Sequence, residues 1–69
     1  MEPFNITYQN NLITVKPIDD KNFELFQETR YLGSIKIVPE DLNGFEWKSD
    51  DVDESLLRSI GGLIEDHYA

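Results

Sequence analysis

From Phe4 to Val38, apolar side chains recur at every second residue in short runs broken by turn-forming residues, and a three-and-four spacing appears only near the C-terminal end, from Leu56 to Ile64. Period two makes half-buried strands and a period near 3.6 makes an amphipathic helix, so the chain folds as strands first and one helix last. Phe4, Ile6 and Tyr8 project one way while Asn5, Thr7 and Gln9 project the other. Asn10-Asn11 suits the positive φ angles of a two-residue type I′ turn. That loop pairs Gln9 with Leu12, Tyr8 with Ile13, Ile6 with Val15 and Phe4 with Pro17. The last three pairs put six apolar side chains on one face.

The second strand ends near Pro17-Ile18, before Asp19-Asp20-Lys21-Asn22. Pairing Pro17 with Phe23 sets Val15 opposite Leu25, and Lys16 opposite Glu24 on the other face as a favourable cross-strand pair. Pro17 has no N–H to give a ladder and belongs at a strand end. A turn at Glu28-Thr29-Arg30 leads into a fourth strand, with Phe23 opposite Ile35 and Phe26 opposite Leu32. Gly33 suggests a bulge that shifts the pairing by one. Pro39 stops this strand, and residues 39–44 read as a turn-bearing loop. Phe45 and Trp47 alternate with Glu46 and Lys48 in a short fifth strand.

Leu56, Leu57, Ile60, Leu63 and Ile64 share one stripe of the helix. Asp50, Asp51 and Asp53 are each N-cap candidates, and Glu54 three residues after Asp51 mimics a capping box. Two adjacent glycines interrupt the pattern. Gly61 falls on the border of the stripe, where a missing side chain allows close approach to a strand or a partner. Gly62 faces water. Two accounts stay open: a continuous helix, or a break that detaches Leu63 to Ala69.

These readings give an α+β fold. An antiparallel β-meander of four to five strands (about 4–9, 12–18, 23–27, 31–38 and 44–48) carries one C-terminal amphipathic helix (about 52–67) packed on one face. With 69 residues the chain is one domain, and a domain this small is marginal unless its core is well made or extended by a partner. On the second face of the sheet fall Leu12, Phe26, Leu32 and Val38, with Ile18. A contiguous patch there would be an interaction surface.

The net charge is −8, and residues 40–69 carry nine of the 14 acids against two bases. Nucleic acid and anionic membrane surfaces call for basic patches, so neither is an expected partner. No run approaches the roughly 18 apolar residues of a membrane span. A charged leader is not evident before Phe4, which favours a cytoplasmic setting. Asn5-Ile6-Thr7 matches a glycosylation triplet but reads as ordinary strand.

No catalytic set emerges. There are no cysteines, which removes thiolate nucleophiles and cysteine zinc sites. The single histidine, His67, lies where a helix frays and is not held as a general base. The adjacent acid pairs Asp19-Asp20, Glu40-Asp41, Asp50-Asp51 and Asp53-Glu54 read as solvated turns and caps. Asp51-x-Asp53-x-Ser55 resembles the start of a calcium loop, but the required glycine and glutamate positions hold Leu56 and Gly62. Trp47, Phe45, Tyr8 and Tyr31 read as packing residues, since a base-stacking platform needs a basic groove. No cofactor is implied.

The segments FELFQETRYLGSIKI (residues 23–37), Trp47-Lys48 and LLRSIGGLIEDHYA (residues 56–69) together resemble a group of very short bacterial proteins with no assigned activity. The most specific part is Leu-Gly-x-Ile at Leu32 to Ile35 with the acid-capped final helix. The resemblance implies a bacterial cytoplasmic setting and no chemistry. The expected function is therefore a non-enzymatic protein-interaction or accessory domain that binds an unidentified protein or a second copy of itself. The rival is an acidic inhibitor or nucleic-acid mimic, marked by regularly spaced carboxylates across one exposed face of residues 40–66. An enzyme would require a deep pocket joining separated acids.

Overall fold

The computed structural model describes residues 2–40 and 44–69. Five antiparallel strands lie in sequential order: β1 (Phe4–Tyr8), β2 (Asn11–Pro17), β3 (Asn22–Gln27), β4 (Arg30–Pro39) and β5 (Phe45–Lys48). One helix follows, α1 (Glu54–Tyr68). The fold is α+β with a β-meander, as the sequence indicates. The turn expected through Asp41, Leu42 and Asn43 lies outside the described residues.

Alternate residues of the sheet meet the helix stripe. Ile6, Ile13, Val15, Phe23, Leu25 and Ile35 from the strands close over Leu57, Ile60 and Ile64 from α1, and all nine are buried. Full burial of each such side chain stabilises the fold by about 1.5–3 kcal/mol. The helix touches both edge strands. Phe4 of β1 stacks on His67 and meets Tyr68 edge-on, while Trp47 of β5 reaches Glu65. Five flat strands span about 19 Å, wider than the roughly 10–12 Å of a helix with its side chains. Contact with both edges therefore requires the sheet to curl around α1, leaving a convex outer face.

The β1–β2 loop differs from the expectation by one residue. Gln9 and Asn10, at φ 48° and 65°, form the turn. Tyr8 then pairs with Asn11, Ile6 with Ile13 and Phe4 with Val15, so Phe4 does not meet Pro17. Moving the loop by one shifts the pairing by two, and a two-residue shift leaves every side chain on its original face. The hydrophobic pattern is therefore blind to the choice. The observed register gains local bonds: Thr14 Oγ1 donates to Asn5 Oδ1 at 2.8 Å, and Asn11 Nδ2 donates to the Gln9 carbonyl at 3.2 Å.

The β2–β3 register matches the expected pairing at Pro17–Phe23, Val15–Leu25 and Lys16–Glu24. Asp19 organises that turn. Its Oδ1 accepts from the backbone N–H groups of Lys21 and Asn22 at 2.8 and 2.9 Å, which hold its carboxyl below the usual range.

Between β3 and β4 the pairing starts as expected at Phe23–Ile35 and passes through Leu25–Gly33, but Phe26 meets Tyr31, not Leu32. Leu32 is the extra residue of a bulge beside Gly33. It packs against the core, which corrects its expected place on the outer face. Gly33 has φ +149°, and a Cβ there would sit 2.8 Å from Val52 Cγ2. Only glycine suits that backbone and that approach.

The segment before the helix is strapped to this bulge. Ser49 Oγ donates to the Ser34 carbonyl at 2.6 Å and accepts from the N–H of Val52 at 2.9 Å. Asp51 Oδ2 accepts from Ser34 N and Oγ, so no Asp51–Glu54 capping box forms. Asp53 is the N-cap and accepts from Ser55 N at 3.1 Å, which starts the helix two residues later than expected. The helix runs unbroken through Gly61 and Gly62.

Candidate functional site

Two adjoining grooves run along the seam between β5 and α1, and Phe45 and Trp47 line both. The one at the C-terminal half of the helix has a volume of about 480 Å³. Phe23, Phe45, Trp47 and Tyr68 contribute its aromatic walls, and its charged side chains are Asp20 and Glu65. Phe45 and Trp47 stand nearly perpendicular, with ring centroids 5.9 Å apart.

Local structure explains each wall. Trp47 alternates with Glu46 and Lys48 and so points to the concave side, beneath Gly61. A Cβ on Gly61 would lie 2.5 Å from Trp47 Cδ1 and 2.7 Å from Nε1. The glycine thus makes room for the indole, which donates from Nε1 to Glu65 Oε2 at 2.9 Å. Nothing lies within 4 Å of a Cβ on Gly62. Phe45 and Tyr68 stay 43% and 56% exposed. Asp20 comes from the turn that Asp19 folds.

The backbone of β5 is directional. In an antiparallel ladder, hydrogen-bonded and non-hydrogen-bonded pairs alternate. Ile37 sends its N–H to the Lys21 carbonyl, away from β5, and Glu40 N donates to the Gly44 carbonyl. Ile37–Trp47 and Pro39–Phe45 are therefore non-hydrogen-bonded pairs, which suits a proline lacking an N–H. The N–H and C=O groups of Phe45 and Trp47 point to the outer edge of β5, where no further strand pairs among the described residues.

The interaction surface expected from sequence is divided. Leu12 and Phe26 share the convex face near one end, with Leu12 57% exposed. Phe26 meets Tyr31 edge-on at 5.6 Å and lies opposite Thr14. Val38 pairs with Glu46 near the other end of β4. Ser34 and Lys36 intervene on the same face, and Leu32 turns to the core. The aromatic pair Phe45 and Trp47 was visible in sequence as packing. What sequence did not supply was its meeting with Asp20 and Glu65, which are far apart along the chain.

Four further acids have local partners. Glu54 pairs with Arg58 at 3.0 Å, Glu46 approaches Lys48 at 3.4 Å, Asp53 caps α1 and Asp51 binds Ser34. The neighbouring Glu46 side chain raises the Glu40 carboxyl, and Glu40 lowers that of Glu46, with Lys48 adding to the latter. His67 lies in the last turn of α1 and is stacked on Phe4, centroids 3.8 Å apart and planes 3° from parallel. It does not line the aromatic groove. Among the described residues no three His, Asp or Glu side chains gather as a metal site, and no helix is long and apolar enough to cross a membrane. Comparison with protein-family models, curated proteins and solved structures finds no match for the chain.

Proposed function

We propose that this chain is a non-enzymatic protein-interaction module that docks its partner along the β5–α1 seam. The observation that carries the reading is the coincidence of an open strand edge with an aromatic groove, both supplied by Phe45 and Trp47. Exposed aromatic side chains beside unsatisfied backbone groups favour recognition of another polypeptide. The resemblance to short bacterial proteins supports a cytoplasmic setting.

The nucleic-acid-mimic reading is weaker, because Glu46, Asp51, Asp53 and Glu54 are each engaged in separate local bonds. The groove does bring together two separated acids, Asp20 and Glu65, the arrangement an enzyme would need. Both are exposed, and no histidine or serine joins them in the lining. Acid–base catalysis needs carboxylates in contrasting environments, so binding is the better account.

A photo-crosslinking residue placed at position 45, and separately at position 12, tests the reading in cells of the source organism. Position 45 should crosslink to one protein and position 12 should not. The purified partner should then bind the wild-type chain and lose binding to Phe45→Asp. Crosslinking at position 12 alone, or a partner indifferent to Phe45→Asp, would contradict the seam as the docking site.

A further inference from the structure

We infer that the partner binds as an extended segment paired to the edge of β5, with a lysine or arginine side chain seated in the groove between Asp20, Glu65 and the aromatic walls. This rests on the reading that the β5–α1 seam is the docking site. It adds the binding mode and the chemical class of the residue recognised.

The mode follows from the ladder. Phe45 and Trp47 present two N–H and two C=O groups outward, and an added strand satisfies unpaired edge groups of this kind. Side chains on the concave side of that strand would fall beside the rings of Phe45 and Trp47, because residues opposite one another in a sheet project to the same face. The groove of about 480 Å³ begins at those rings.

The charge follows from the lining. Asp20 and Glu65 are its charged side chains and both are acids. Glu65 gives only Oε2 to Trp47, so Oε1 remains to accept from a ligand. Aromatic faces attract cations through their quadrupoles, and carboxylates attract them directly. An acidic side chain would meet two like charges, and a neutral one would leave both carboxylates uncompensated. The net charge of −8 steers a basic segment toward the molecule. A second copy of the chain is a poorer occupant, because it brings the same negative charge and its own β5 offers Lys48 as its one cation.

The test pans a displayed library of random short linear peptides against the folded chain, then titrates the recovered peptides by NMR. Recovered sequences should share one Lys or Arg flanked by strand-forming residues, and they should perturb and protect the amides of Phe45 and Trp47. Asp20→Asn combined with Glu65→Gln keeps an acceptor for Trp47 Nε1 while removing both charges. It should weaken binding about tenfold. Replacing the basic residue of the peptide by leucine should cost the same without touching the protein. Peptides that bind at the seam with no basic preference, or with equal affinity for the double variant, would overturn the cationic pocket and leave the seam standing. Binding that perturbs Phe26 and Tyr31 instead would overturn both. Protection of Phe45 and Trp47 that grows with protein concentration, without peptide, would make a second copy the occupant and overturn the inference.

Discussion

At the scale of single residues, two adjacent glycines in one helix do opposite things. Each costs a helix about 1 kcal/mol relative to alanine. For Gly62, with nothing near its absent Cβ, that cost has no offset. Gly62→Ala should raise stability by up to about 1 kcal/mol in a thermal melt. Gly61→Ala would drive a methyl group into the Trp47 ring, and overpacking of this kind costs about 1–3 kcal/mol. It should lower stability and expose the tryptophan to solvent, seen as a red shift in fluorescence. In a Trp47→Ala background the same change should become stabilising, because the steric term vanishes. Equal effects of Gly61→Ala in both backgrounds would place the indole elsewhere. The sequence pattern separates a border glycine from a water-facing one, since helical periodicity fixes the angle of each. It cannot name Trp47 as the neighbour, because periodicity does not say which strand runs beneath a given turn.

At the scale of elements, legibility depended on whether a choice of register changed the face of a side chain. The β2–β3 pairing was readable because Pro17 and Phe23 bound a turn of fixed composition, and Lys16–Glu24 agreed with it. The β1–β2 loop was not, because its two alternatives keep the same apolar face. The positive φ angles at Gln9 and Asn10 and the local bonds of Thr14 and Asn11 separate them. Type I′ turns favour Asn-Gly. Gln9→Asn with Asn10→Gly should therefore stabilise the hairpin by about 0.5–1 kcal/mol. Asn11→Gly should destabilise, since Asn11 opens β2 and bonds Gln9 and Gln27 through its side chain. The opposite pattern in melts would restore the Asn10-Asn11 loop. The bulge was half legible. Gly33 signalled an irregularity, but not that Leu32 would be the residue turned inward, because that depends on Val52 and Asp51 covering Gly33 from a distant segment.

At the scale of the whole molecule, curling of the sheet around α1 shapes the surface on which the proposed partner docks. On the convex face, Phe26 and Tyr31 lie toward one end of β4 and Val38 toward the other, with Ser34 and Lys36 between them. On the concave side the curl brings β5, the C-terminal half of α1 and the Asp20 turn to one groove. The sequence located Leu12, Phe26 and Val38 on the outer face but misplaced Leu32, and the seam arises from elements far apart along the chain and carries no local signature. The acidity that makes nucleic acid an unexpected partner is the same property that suits the groove to a basic segment. All of this depends on β5 being an open edge whose outward groups belong to Phe45 and Trp47. Residue-resolved amide hydrogen exchange on the dilute chain tests that dependence. Slow exchange is expected at Glu46 and Lys48, whose N–H groups bond to β4, and fast exchange at Phe45 and Trp47. Protection of Phe45 and Trp47 equal to that of Glu46 and Lys48 would contradict it, because the edge would then already be paired.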